Sequence, residues 1–131
     1  MIYLNSMGKV IIRNTSDGGY YFTVVANNHE VVGVSQTYRS IENAKVGVES
    51  IRTNRNADLE DQTRRNFEVK KCPKWEIYKD KADQFRFRLV AANGEIILAA
   101  SEGYTRKFNA KKGIRAVVNN IDSEIEIKEA E

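Results

Sequence analysis

The sequence predicts an α+β fold: two tandem β-β-β-α-β units that form a single antiparallel sheet, exchange their last strands and place two helices on one face. Three observations predict it. The chain repeats itself. Each copy carries period-two runs of apolar residues separated by turn residues. Each copy then shows a stretch with helical spacing and one more alternating run.

Internal self-similarity is the strongest of these. With Lys9 placed on Lys74, the halves align at an offset of 65: Ile12 meets Ile77, Phe22 meets Phe87, and VVANNHEVV (24–32) meets LVAANGEII (89–97). One extra residue enters near 99–100, after which Ser35 meets Ser101, Tyr38 meets Tyr104, and NAKVGVESI (43–51) meets NAKKGIRAV (109–117). The order of matches is the same in both halves and a single gap suffices, so the chain reads as a duplication of a unit of roughly 60 residues. The first repeat is set at 9–71 and the second at 74–128, within one compact domain spanning 1–131.

The strands follow from alternation. PKWEIYKD (73–80) and QFRFRLVA (84–91) alternate, the latter with arginines at 86 and 88 between apolar residues at 85, 87 and 89. Asn93-Gly94 between two β-rich runs signals a two-residue type I′ hairpin; the first repeat has Asn28-His29 there, where His adopts positive φ less readily. Such a turn puts Phe85, Phe87, Leu89, Ile96 and Leu98 on one face, with Tyr20, Phe22, Val24, Ala26 and Val31 as the matching core set. Ser40 reads as a helix N-cap before Ile41, Ala44, Val48 and Ile51 at helical spacing. Phe108, Ile114, Val117, Val118 and Ile121 make the second stripe. Gly47 and Gly113 fall mid-helix in both copies, where glycine costs up to about 1 kcal/mol relative to alanine. Their recurrence points to a close approach of each helix. FEVK (67–70) and EIEIK (124–128) supply the last strands. A unit this small buries little alone, so each last strand is expected to cross to the other unit, the first carried by the polar connector 54–66.

These residues resemble the YegP-like family of small bacterial and archaeal proteins, known by a domain of unknown function. The pattern is an aromatic-basic strand, A-x-N-G-E-I-I, a Ser-containing segment with Gly-Tyr, N-A-K-x-G-I-x-x-V and an Asn-rich helix end. The second repeat carries it in full, RFRLVAANGEIILAASEGYTRKFNAKKGIRAVVNN; the first has Asn28-His29 for Asn-Gly and Thr37-Tyr38 for Gly-Tyr. The resemblance covers nearly the whole chain beyond the first eight residues. It implies the single sheet with exchanged strands, and no reaction, cofactor or catalytic residue.

Composition narrows the function classes. The 131 residues are 41% hydrophobic and 30% charged, which fits a soluble folded domain and not a disordered chain. No run approaches the ~20 apolar residues of a membrane span, and the start MIYLNSMGK lacks the pattern of a secretory signal. One cysteine, Cys72, makes no internal disulfide. A cytoplasmic location is expected. Lys and Arg number 21 against 18 Asp and Glu, a net +3 that does not mark a dedicated nucleic-acid binder.

Chemistry is sparse. His29 reads as a turn residue in water, and Cys72 before Pro73 as incidental rather than nucleophilic. Asp58, Glu60 and Asp61 lack the glycine and terminal glutamate of a calcium loop, and no ligand set for zinc exists. Glu30 and Glu95 follow turns and read as hairpin residues. Asp17-Gly18-Gly19 has no helix after it to bind phosphate. Asn14-Thr15-Ser16 is a glycosylation triplet by chance. No enzyme activity, metal or cofactor is expected.

The outer face of the sheet remains, expected to carry Tyr21, Thr23, Val25, Val32 and Val34 in one unit and Tyr78, Arg86, Arg88, Val90, Ile97 and Ala99 in the other. The candidate binding surface is Tyr78, Arg86, Arg88, Tyr21, Val25 and Val32. Clustered valines favour a non-enzymatic interaction module that binds a protein or a second copy of itself. Arginine beside tyrosine suggests, as the alternative, weak salt-dependent nucleic-acid binding. Against both stands a plain solvated face on which Arg86 and Arg88 pair with neighbouring glutamates. Without a partner the chain is expected to be a monomeric pseudo-dimer.

Overall fold

The computed structural model describes residues 8–130. The elements run β1 (Lys9–Asn14), β2 (Tyr20–Val25), β3 (Val31–Ser35), α1 (Ile41–Asn54), β4 (Asp58–Asp61), β5 (Lys74–Lys79), β6 (Phe85–Val90), β7 (Ile96–Ala100), α2 (Lys107–Asn120) and β8 (Ile125–Lys128). All strands join one eight-stranded sheet in the order β4-β5-β6-β7-β3-β2-β1-β8. The β-branched and aromatic residues of VIIRN, YYFTVV and FRFRLV favour this pleated, half-buried setting.

The sheet is mixed, which corrects the all-antiparallel expectation. The six inner strands pair antiparallel, but β4 runs parallel to β5 and β8 parallel to β1. In this order β4, from the first repeat, lies beside the first strand of the second, and β8 lies beside β1. The strand that sits there is Asp58–Asp61, not 67–70, which forms no strand. At the offset of 66 that aligns the helices, Asp58-Leu59-Glu60-Asp61 falls on Glu124-Ile125-Glu126-Ile127. The crossover from β3 through α1 to β4 is therefore short, and 62–73 is a loop between β4 and β5.

The hairpins also correct the predicted register. In both, a type I turn is followed by one residue of positive φ: Gly94 N–H donates to Ala91 O at 2.9 Å with Gly94 at φ 88, and His29 N–H donates to Ala26 O at 2.9 Å with φ 71. This is a three-residue loop, which needs one positive φ rather than the two of type I′. Ala91 consequently faces Glu95, and Val90 pairs with Ile96, then Leu89 with Leu98, leaving Ile97 as the extra residue of a bulge. The first repeat bulges in the same place, between Val24 and Val25. As a result Ile97 and Val32 are buried in the core, while Ile96 and Val31 are 44% and 41% exposed.

Pairing carries one face across the sheet through Ile12, Phe22, Val24, Gly33, Ala100, Leu98, Leu89, Phe87 and Ile77. Both helices pack on it, with Ala44, Val48 and Ile51 of α1 and Val117 of α2 in the same core. Fully burying a phenylalanine such as Phe22 or Phe87 contributes about 1.5–3 kcal/mol. Ser40 caps α1 by accepting from Asn43 N–H at 3.0 Å. Phe108 does not join the α2 stripe: it lies in the first turn, 68% exposed, with Lys112 over its ring. The mid-helix glycines have the expected reason. A Cβ on Gly47 would sit 2.1 Å from the Tyr38 hydroxyl, and one on Gly113 would sit 2.7 Å from the Phe87 ring and 2.9 Å from the Tyr104 hydroxyl. Tyr38 and Tyr104 stack on Phe22 and Phe87 between helix and sheet.

Candidate interaction face

With both helices on one side, the other face carries Lys74, Glu76 and Tyr78 of β5, Arg86, Arg88 and Val90 of β6, Ile96 and Ala99 of β7, Val31 and Val34 of β3, Tyr21, Thr23 and Val25 of β2, and Ile11 of β1. The pairs Glu76–Arg88, Tyr78–Arg86, Arg88–Ala99, Val34–Ala99 and Thr23–Val34 place them side by side. Two parts of this face differ in chemistry.

The β4-β5-β6 wing is ionic and closed on itself. Lys74 Nζ lies 2.8 Å from Glu60 Oε1 and 3.2 Å from Glu76 Oε2, and Arg88 Nε donates to Glu76 Oε1 at 2.5 Å. The Arg88 guanidinium lies 4.1 Å from the Tyr78 ring centre. Arg86 Nε donates to Asp80 Oδ2 at 2.7 Å. Glu60 is 2% exposed and also accepts from Gln62 and from Lys70 N–H at 2.7 Å, so the loop after β4 folds back over it. Burial opposes its charge, but the bonds from Lys74, Gln62 and Lys70 together outweigh burial and lower the Glu60 carboxyl to about 2. The same bonds to Glu60 and Glu76 raise Lys74 above its ordinary value. Asp80 is lowered by Arg86.

The centre is apolar. Val34 and Ala99 pair across β3 and β7. Val25 with Val31 and Val90 with Ile96 flank them on opposite sides, so a diagonal stripe of aliphatic side chains crosses four strands. Among the described residues no helix covers this stripe.

The predicted surface residues do not form one cluster. Tyr78, Arg86 and Arg88 gather on β5 and β6. Tyr21 and Val25 lie on β2, beyond β7 and β3 in the sheet order. Val32 is in the core because of the bulge. Lys74, Glu76 and Glu60 were not singled out as a group, although Lys74-x-Glu76-x-Tyr78 is a same-face triplet in an alternating strand. The three acids of β4 are split by that alternation. Glu60 faces Lys74, while Asp61, on the helix side, accepts from Lys107 at 2.8 Å; burial opposes its charge, and its bonds from Lys107 and Thr63 outweigh burial and lower its carboxyl. Among the described residues no group of three metal-ligating side chains occurs, and no helix is long and apolar enough to cross a membrane. His29 stands exposed at its hairpin tip and Cys72 exposed in the 62–73 loop.

Comparison with known proteins agrees with the duplication. A family described as a domain of unknown function, DUF1508, matches the chain twice in tandem, at residues 15–61 and 80–126. A UPF0339 protein YegP of Yersinia pestis is 31% identical over 115 residues, covering 88% of this chain and 89% of that one. A UPF0339 protein of Treponema denticola is 53% identical over 47 residues, 36% of this chain and 79% of its own. The solution NMR structure of yegP from E. coli, a protein of unknown function, superposes with a TM-score of 0.77 at 24% identity, covering 98% of each chain, and shares the fold. The chain belongs to the DUF1508 family.

Proposed function

We propose that this member of the DUF1508 family is a non-enzymatic protein-interaction module whose contact surface is the helix-free face of the sheet. The observation that carries this reading is the aliphatic stripe Val25, Val31, Val34, Ala99 and Ile96, with Val90 buried at its end, spread over four strands with both helices on the opposite side; Val31 and Ile96 are its exposed members and Val25, Val34 and Ala99 are half-buried. A contiguous apolar area rimmed by charged groups is the usual form of a protein contact site. The nucleic-acid alternative has less support. Arg88 is engaged by Glu76 and Tyr78, and Arg86 by Asp80, so a phosphate would have to displace existing charge-assisted bonds. Among the described residues neither His29 nor Cys72 has a hydrogen bond to an acid or hydroxyl that would make it a base or a nucleophile.

The test compares the full chain with a Val34→Asp/Ala99→Asp variant, each shown to unfold cooperatively. A partner captured by the native chain is purified and its direct affinity measured. The variant is expected to bind it at least about tenfold more weakly, about 1.4 kcal/mol, while Arg88→Ala retains binding. Equal affinity of native chain and variant defeats the reading. Salt-dependent binding of a single-stranded oligonucleotide, lost on Arg88→Ala, replaces it with the alternative. Concentration-dependent dimerisation abolished by the variant assigns the face to a second copy.

A further inference from the structure

We propose that the open groove between α2 and the β4–β5 edge binds a small amphipathic anion, with one carboxylate or phosphate head on an apolar body. The groove has a volume of about 450 Å³, within the roughly 300–1,000 Å³ of small-molecule sites. Its floor is apolar, made by Leu59, Trp75, Ile114 and Val118. Every ionisable group that lines it is cationic: Arg55, Lys111 and Arg115. Arg55 is already held by Asp122, at 2.5 and 2.6 Å. Lys111 and Arg115 are exposed, one turn apart on α2, and among the described residues neither has an acid within ion-pair distance. Two free cations above an apolar floor complement an anionic head and an apolar body.

The repeat supplies an independent argument. At the offset of 66, Val118 corresponds to Arg52 and Arg115 to Glu49; at 65, Trp75 corresponds to Val10. On the α1 side, Arg52 spans from the helix to the turn after α2, donating to Ile121 O at 2.9 Å and Ser123 O at 3.1 Å, and Glu49 accepts from it at 2.7 Å. The corresponding groove is thus bridged by the chain's own guanidinium and its charge is balanced. The scaffold can close this space with one side chain. Beside α2 it places a valine there, leaves the groove open and puts an arginine where α1 has an acid.

The test uses the sole tryptophan, Trp75, whose indole N–H donates to Arg55 O at 3.0 Å in the groove wall and gives one isolated signal in a ¹H–¹⁵N spectrum. The full chain is titrated with decanoate and, separately, with 1-naphthylacetate; the arm that binds more tightly tells a chain-like from a ring-like ligand. Decyl maltoside serves as a neutral control. A saturable shift of the indole signal is expected with at least one acid, at least about tenfold tighter than with the neutral compound and weaker at high salt. Lys111→Glu/Arg115→Glu is expected to weaken binding about tenfold. Val118→Arg, which installs the strut of the other repeat, is expected to abolish binding with cooperative unfolding retained. Val34→Asp, on the other face, leaves it unchanged. The proposal is overturned by no shift with either acid at millimolar concentration, by equal affinity for the neutral amphiphile, or by indifference to the charge reversal.

Discussion

Glu60 with Lys74 and Glu126 with Lys9 are the same residue pair in the two repeats, and they meet very different surroundings. Both pairs tie a parallel edge strand to its neighbour, at 2.8 and 3.0 Å. In the first the side chains are 10% and 2% exposed; in the second, 56% and 34%. The difference comes from the neighbours. The loop 62–73 folds back so that Lys70 N–H reaches Glu60. On the same face Glu76 and Arg88 extend the charge network, where the first repeat has Ile11 and Thr23. Among the described residues the pair Lys9–Glu126 has only Lys128 added, itself exposed. Identical sequence therefore carries very different energetic weight: a pair in solvent contributes about 0–1 kcal/mol, while breaking a buried one by deleting a single partner typically costs about 3–5 kcal/mol.

The sharpest way to break the comparison is to delete each lysine in turn. Lys74→Ala leaves the buried Glu60 and half of Glu76 uncompensated, and is expected to destabilise by about 3 kcal/mol or more. Lys9→Ala is expected to change stability by about 0.5 kcal/mol or less. Urea unfolding midpoints at neutral pH measure both. Equal effects at the two positions would show that burial of the first seam is energetically irrelevant.

The glycine–tyrosine contacts test the repeats where they are alike. Gly47→Ala and Gly113→Ala each force a methyl group against an aromatic ring in the core, and overpacking of this kind costs about 1–3 kcal/mol. They differ in what gives way. The obstacle at Gly47 is the Tyr38 hydroxyl, so Tyr38→Phe is expected to recover part of the loss in a double-mutant cycle. At Gly113 the nearest atom is on the buried Phe87 ring, and Tyr104→Phe is expected to recover less. Equal recovery in both repeats would remove the distinction.

What could be read beforehand was whatever depended on residue type at a fixed offset. The duplication, both helices, Ser40 as cap and the packing reason for Gly47 and Gly113 are all of this kind. The failures are local. Ala-x-Asn-x-Glu supports both a two-residue and a three-residue hairpin, and only the positive φ at His29 and Gly94, with Asn28 and Asn93 outside that region, decides between them. That one-residue difference moved Val32 and Ile97 into the core and Val31 and Ile96 out. Asp-Leu-Glu-Asp carries too little apolar pattern to register as a strand, although the offset of 66 sets it on Glu-Ile-Glu-Ile, and Phe-Glu-Val-Lys alternates well enough to take its place falsely. The charge network was half legible: alternation puts Lys74 and Glu76 on one face, but nothing local says that a distant loop would cover Glu60.

The smallest expected effect refines the same contrast through pH. The Glu60 carboxyl is lowered to about 2 in the folded chain, below the roughly 4.3 of an unfolded glutamate. A lowered carboxyl contributes stability that is fully present above its unfolded value and is lost as pH falls toward the folded one. Wild-type stability is therefore expected to decline between about pH 5 and pH 2, with part of the slope due to Glu60. Asp61, Asp80 and Asp122 are lowered as well and share that limb, so the difference between variants carries the information. Glu60→Gln is expected to be less stable than wild type at pH 7, with the gap narrowing steadily down to pH 2.5. Glu126 is also lowered, by Lys9 and then Lys128, but in solvent these attractions are screened, and Glu126→Gln is expected to track wild type closely throughout. Urea midpoints at half-unit pH steps decide it: parallel curves for wild type and Glu60→Gln would place the acid sensitivity elsewhere, and a gap at Glu126 as large as that at Glu60 would mean the two seams are energetically the same.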